Sequence, residues 1–342
     1  MNSARRHSFL DEKRVLVTGA AGTIGSLLIE SLLQADATVC AFDSDESGLA
    51  ELKSKWGTCG QTTTKFRAFA GNIRDVARLD EACGGVDYLF HCAAMKHVDI
   101  CEYNPIEAAK TNVEGVTNIV TAALNNEVKR VIFTSSDKAV NPQSTMGATK
   151  LLGEKLFIAA NGAVGDRATR FSVVRFGNIL NSRGSVTEIF QQQIERGEPI
   201  TLTSERMSRF VLTAKNAVEL CLFAAEQMKG GEIFLQNMGV AAIRDVATAL
   251  AEPGQVLQFK EIGRRPAEKE FEELSTEDEA ERSFETKNGL VILPEVLENM
   301  PMDVLENFRF IEANLQRAKK PLRSDQHSPM SVEAIREFFR NS

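Results

Sequence analysis

From residue 13 to about 176, short β-branched runs alternate with amphipathic stretches of helical length, the pattern of βαβ units around a parallel sheet. Strand candidates fall at 14–17, 38–42, 65–70, 86–91, 130–135 and 171–176. Between them, residues 23–34 put Ile24, Leu27, Leu28 and Leu32 on one helical face, and 105–124 opens on Pro105, a residue tolerated in a first turn. This predicts an α/β fold with a doubly wound parallel sheet (Rossmann-type) over 13–176, preceded by a tail at 1–12. After 176 the alternation loosens, so 177–342 reads mainly as a smaller C-terminal substrate-binding lobe with an extension. Helices are expected there at 215–229, 304–320 and 331–339. The acidic run within 268–285 reads as a solvated face, and the polar segment 319–329 as mobile.

Composition narrows the picture. A chain of 342 residues, 43% hydrophobic and 25% charged, can bury a full core, and it holds no apolar run near the ~20 residues that span a bilayer. A net charge of -7 gives no general attraction for nucleic acid or an anionic membrane, so neither is expected as a partner and an anionic ligand needs a local pocket. The six cysteines form no CxxC pair and several sit in apolar runs, which predicts reduced core thiols. The four histidines show no metal-ligand spacing, and no metal is expected. The first residues lack the apolar core of a signal peptide, which leaves the cytoplasm as the expected location.

The first strand candidate runs into TGAAGTIG at 18–25, a GxxGxxG loop opening a helix. Small residues there let backbone approach a pyrophosphate at a helix N-terminus, which makes Gly19, Gly22, Thr23, Ile24 and Gly25 cofactor candidates. Asp43, ending the second strand, suits a ribose diol and repels a 2′-phosphate, so NAD is favoured over NADP. Asn72 and Ile73 after the third strand and Ala93 and Ala94 after the fourth belong to the same carboxyl edge of the sheet.

These and further motifs resemble the extended short-chain dehydrogenase/reductase superfamily, and within it the UDP-N-acetylglucosamine 4,6-dehydratases of polysaccharide biosynthesis. The resemblance is carried by TGAAGTIG, HCAAMKHVDICEYNPIEAAKTNVEG (91–115), SSDKAVNPQSTMGATK (135–150), VRFGNILNSRGSV (174–186), TLTSERMSRFVLT (201–213) and RPAEKEFEEL (265–274). Two departures matter. Where most of the superfamily has YxxxK, this chain has Met146 and Lys150, and Met carries no proton to transfer; a branch of these dehydratases is similar in having Met there. The usual RPGEK reads RPAEK, with Ala267 for Gly, a minor change unless that backbone needs positive φ.

The resemblance implies oxidation at C4 of the sugar, loss of water across C5 and C6, and hydride return to C6. It assigns Asp137 as the acid for the 6-hydroxyl and Lys138 as the base for the C5 proton, with Lys150 holding the nicotinamide ribose. The C4 hydroxyl proton is left to Ser136, Lys138, Lys150 or a water. Adjacent Asp and Lys stabilise each other's charges, whereas the reaction wants both neutral; a dry pocket favours the neutral tautomer because it carries the same single proton. For the nucleotide-sugar diphosphate the implied contacts are Lys96, Asn178, Arg183, Ser185, Val186, Arg209 and Arg265, with Glu268 on a hydroxyl. The long helices can form two-fold contacts, so a homo-oligomer is expected. The alternatives are a 4-epimerase, which normally needs the missing Tyr, and a non-catalytic dinucleotide sensor.

Overall fold

A computed structural model describes residues 7–57, 65–181, 184–264 and 267–340. The six apolar runs form β1 (Arg14–Thr18), β2 (Thr38–Asp43), β3 (Phe66–Ala70), β4 (Tyr88–His91), β5 (Arg130–Ser136) and β6 (Arg170–Phe176). They lie parallel in the order β3-β2-β1-β4-β5-β6, which puts the reversal of winding between β1 and β4. Helices cover both faces. On one side Thr23–Gln34, Ala214–Gln227 and Met302–Asn314 bury Leu28, Leu32, Val218, Val304 and Phe308; on the other Val76–Cys83, Gly115–Asn125 and Thr145–Ala159 bury Leu79, Val116, Ile119 and Phe157. Asp45, Asp75, Ser144 and Thr213 cap four of the chain's helices by accepting a backbone N–H three residues on, which fixes where each begins.

The remaining strands are β7 (Asn178–Ile179), β8 (Ile200–Leu202), β9 (Ser208–Leu212), β10 (Ile233–Gln236), β11 (Gly239–Ala242), β12 (Phe259–Glu261), β13 (Ser283–Thr286) and β14 (Gly289–Ile292). Three of them extend the main sheet beyond the six strands expected: β10 pairs parallel with β6, and the hairpin β13–β14 adds antiparallel to β10. Each is only four residues long and sits outside any βαβ repeat, so periodicity gave no sign of it. The lobe itself is the sheet β11-β9-β7, packed with helices Val186–Glu195, Ile243–Leu250 and Val332–Arg340 around Phe190, Val246 and Ile335.

Several sequence expectations change here. The described part of the tail packs on the sheet, with Leu10 fully buried. The acidic run is not a solvated face: Glu272 and Glu279 are buried. Segment 319–329 is tied down as a strap, Leu274 N–H donating to Leu322 O at 2.9 Å and Ser324 N–H to Glu272 O at 2.9 Å. Polarity misleads in both cases because the partners, cations for the acidic run and backbone groups for the strap, lie far away in the chain. Cys40, Cys83, Cys92, Cys101 and Cys221 are free thiols, as expected, and burial pushes the Cys83 and Cys92 thiols up to about 12. Cys59 lies outside the described residues. Among the described residues no helix is long and apolar enough to cross a membrane.

Candidate active site

The glycine loop joins β1 to helix Thr23–Gln34 at the switch edge. Gly19 has φ 68, and a Cβ there would stand 2.6 Å from Ala93 N, so the loops after β1 and β4 touch backbone to backbone. Asp43 accepts from Ala21 N–H at 2.9 Å through one oxygen and from Asp45 N–H at 2.9 Å through the other. That holds the carboxylate beside the glycine loop while each oxygen keeps a lone pair for a ribose hydroxyl. Ile73 is buried against Gly115, whereas Asn72 is exposed and accepts Arg74 N–H at 3.0 Å. Thr23, Ile24, Ala93 and Ala94 are half-buried and Gly22 is exposed, which leaves a small-residue cradle of the kind a dinucleotide backbone needs. A Cβ on Gly25 would overlap the Gly19 carbonyl oxygen. Gly25→Ala is therefore expected to weaken NAD binding at least about tenfold, some 1.4 kcal/mol, in a calorimetric titration. Unchanged affinity would remove this loop from the cofactor site.

Lys150 lies on helix Thr145–Ala159, 6% exposed, and its Nζ donates to Thr134 O at 2.9 Å over the Phe133 ring. Burial brings the ammonium down to about 8. Met146 packs in an apolar cluster with Met95, Val98, Cys101 and Ala108 and so fills core space. The helix is braced by Asn112, buried in the π-helical turn Lys110–Glu114, whose amide bonds both backbone atoms of Met95 and the Thr149 hydroxyl.

At the carboxyl end of β5 the chain turns through Asp137–Ala139. Gly147 packs against the Lys138 carbonyl so closely that a Cβ would overlap it, which seats the turn on the Lys150 helix. Asp137 is fully buried; its Oδ1 accepts from Ser136 Oγ at 2.7 Å and Lys138 Nζ at 2.9 Å, while Oδ2 is buried with no hydrogen-bond partner among the described residues. Lys138 Nζ also donates to Asn178 Oδ1 at 3.0 Å and stands 3.5 Å from Glu272 Oε1, its side chain 27% exposed. Burial draws this ammonium down, but Asp137 and Glu272 outweigh it, so its pKa is raised.

The substrate-side candidates divide. Arg183 and Arg265 lie outside the described residues. Lys96 is exposed, and the neighbouring His97 meets Gly184, which brings the 184–186 loop beside it. Ser185 precedes helix Val186–Glu195 and shares a 2.6 Å hydrogen bond with Thr187. Glu268 is half-buried. Asn178, expected at the diphosphate, has its carbonyl oxygen on Lys138. Arg209, expected there too, is buried and donates to the carbonyls of Ser208, Lys269 and Glu270. It braces the acidic loop because those carbonyls are its nearest acceptors. Ala267 has φ 61, so the Gly-to-Ala departure falls on a left-handed position and strains the loop by about 1–2 kcal/mol. Sequence reading missed Glu272, although it lies inside the quoted RPAEKEFEEL stretch.

Strand order, glycine cradle and an acidic residue ending β2 together define a doubly wound protein of the dinucleotide-binding type. A sequence profile described as polysaccharide biosynthesis protein matches residues 15–294. The chain is 43% identical to the uncharacterized membrane protein MJ1061 of Methanocaldococcus jannaschii, covering 84% of this chain and 87% of that one. It is 39% identical to a UDP-N-acetylglucosamine 4,6-dehydratase (inverting) of Campylobacter jejuni, with 84% of each chain covered. A UDP-glucose 4-epimerase of Rickettsia akari is 37% identical over 79% of this chain and 80% of that one. Among solved structures, Pen from Bacillus thuringiensis superposes with a TM-score of 0.87 at 36% identity, covering 98% of this chain and 99% of that one. The chain belongs to this polysaccharide-biosynthesis family of extended short-chain dehydrogenases/reductases.

Proposed function

We propose that the protein is an NAD-dependent nucleotide-sugar 4,6-dehydratase that converts UDP-N-acetylglucosamine, or a related nucleotide-hexosamine, to its 4-keto-6-deoxy product. The reading is carried by one observation: a fully buried carboxyl, Asp137, and a partly exposed amine, Lys138, are adjacent at the carboxyl end of β5. The Campylobacter relative's activity supports it. The glycine cradle, Asp43 and Lys150 would hold NAD, which when bound would supply the hydride acceptor and donor for the reaction. Asp137 protonates the departing 6-hydroxyl and Lys138 takes the C5 proton, made acidic by the C4 ketone. Asn178 Oδ1 accepts from Lys138 Nζ at 3.0 Å and helps to hold the amine in place. The diphosphate falls to Lys96 and the amides at Ser185 and Val186, with Arg183 and Arg265 as the cationic forks.

A second reading, 4-epimerase, is favoured by the Rickettsia relative. An epimerase returns hydride to C4 and needs no acid for a leaving hydroxyl, so a buried Asp beside Lys138 counts against it. Incubation with UDP-N-acetylglucosamine in heavy water separates the two. Mass loss of one water with deuterium at C5 is the dehydratase result; C4 inversion without water loss is the epimerase result. Tight NAD binding without either product would leave a dinucleotide sensor.

A further inference from the structure

The acidic loop carries a second carboxylate to the reacting amine. Glu272 is 3% exposed, with Oε1 3.5 Å from Lys138 Nζ and 3.8 Å from Arg209 Nε; its Oε2 is buried and has no hydrogen-bond partner among the described residues. Its place is fixed from several sides. Glu272 N–H donates to Ser324 Oγ at 2.9 Å and its carbonyl accepts Ser324 N–H at 2.9 Å. Lys269 Nζ donates to Val140 O at 2.6 Å, and Asn141 Nδ2 donates to Glu273 Oε2 at 3.1 Å, clamping the loop over the Asp137–Lys138 turn.

Resting on the dehydratase reading, we propose that Glu272 is a positioning residue for proton transfer: acting through Lys138, it stores the proton released when the sugar's C4 hydroxyl is oxidised. The proton inventory requires such a place. Oxidation removes a hydride and a proton from the C4 hydroxyl group. Elimination moves the C5 proton to Lys138 and sends the Asp137 proton out with the 6-hydroxyl as water. Reduction returns the hydride to C6 and the Lys138 proton to C5. The protein has then gained the C4 hydroxyl proton and lost one from Asp137, so the first must replace the second. Lys138, bonded to Asp137 Oδ1 at 2.9 Å, is the bridge, yet it must be unprotonated when C5 reacts and Asp137 must still be protonated. Glu272 is the third site within reach of the same nitrogen. The proton crosses Lys138 to Glu272, waits through elimination, and returns across Lys138 to Asp137 once water has left.

The surroundings suit that task. The charged groups facing Glu272 are Lys138, Asp137, Arg209 and Lys269; burial and Asp137 push its carboxyl up, the three cations pull it down, and the first effect prevails. Glu272 thus accepts a proton more readily than a solvated glutamate.

The test compares the full chain, loaded with NAD and given UDP-N-acetylglucosamine, with Glu272→Gln, which keeps the shape and cannot take a proton. We expect kcat to fall about tenfold or more with KM within about twofold, and the acid-side limb of the kcat profile to move to lower pH because Lys138 loses a carboxylate neighbour. In NAD-free protein the Lys138 ammonium, followed by nitrogen NMR, should titrate at lower pH in the variant. Glu272→Asp, which keeps a carboxyl, should recover part of kcat; should Glu272→Gln not fold, Glu272→Asp carries the comparison, since its shorter arm withdraws the carboxylate and must move the limb the same way. A native-like kcat, or a loss of kcat with the limb and the Lys138 titration unmoved, overturns the proposal. Wild-type protein that releases no water from the sugar overturns the dehydratase reading instead, and the titration still reports whether Glu272 governs Lys138.

Discussion

Lys138→Ala is expected to abolish turnover, by a factor of about 10² to 10⁴, while NAD still binds. The ammonium of Lys138 meets Asp137, Asn178 and Glu272, whereas the dinucleotide candidates lie on the glycine loop, Asp43 and Lys150. On the dehydratase reading, removing the amine deletes the group proposed to take the C5 proton, while Asp137 and Glu272 remain. The substitution also leaves Asp137 and Glu272 facing each other without the cation between them, so Lys138→Gln, which restores a hydrogen-bond donor but not a titrating amine, serves as the control. Both variants should bind NAD calorimetrically within a few-fold of wild type and show no deuterium uptake at C5. A variant with full activity would remove Lys138 from the chemistry.

Arg175→Met is expected to cost about 3–5 kcal/mol of stability, enough to leave much of the protein unfolded near physiological temperature. Arg175 is fully buried on β6, and all five of its N–H groups are used: Nε and Nη2 on Glu154 at 3.0 and 2.7 Å, Nη1 and Nη2 on Glu279 at 2.9 and 3.0 Å, and Nη1 on Leu274 O at 2.8 Å. Without the guanidinium, two carboxylates remain in the core with no cation. Burial pushes Glu279 up, but Arg175 more than reverses this, so its pKa is lowered. A lowered carboxylate contributes stability above its unfolded value and loses it as pH falls through the folded one. Denaturant unfolding of the wild type should therefore weaken in that acid range, and the variant should lack this component. A midpoint within about 1 kcal/mol of wild type would show that water replaces the arginine.

The elements legible in the sequence are those whose partners are near or whose pattern repeats. Helix Thr23–Gln34 matches its expected bounds, because four apolar residues at helical spacing follow a glycine turn. The place of Asp43 at the end of β2 was legible because the second apolar run stops there. Glu272 and Glu279 were not: an acidic run looks the same whether it faces water or meets Lys138 and Arg175, each roughly a hundred residues or more away. Nor does an arginine in a motif announce that carbonyls of the loop 269–270 accept from its guanidinium, as they do from Arg209. Helix 304–320 ends at Asn314 because the residues after it pair with the main sheet and the acidic loop.

The strap through Ser324 has a consequence for biosynthesis. Its backbone and hydroxyl hold Glu272, the hydroxyl is also bonded to Ser208, and Ile335 in the final helix closes the lobe core. The six parallel strands and the glycine loop lie within residues 14–176, but the helices Ala214–Gln227 and Met302–Asn314 that cover one face of their sheet come later in the chain. During synthesis Glu272 can therefore be seated beside Lys138 only after the residues around Ser324 have left the ribosome.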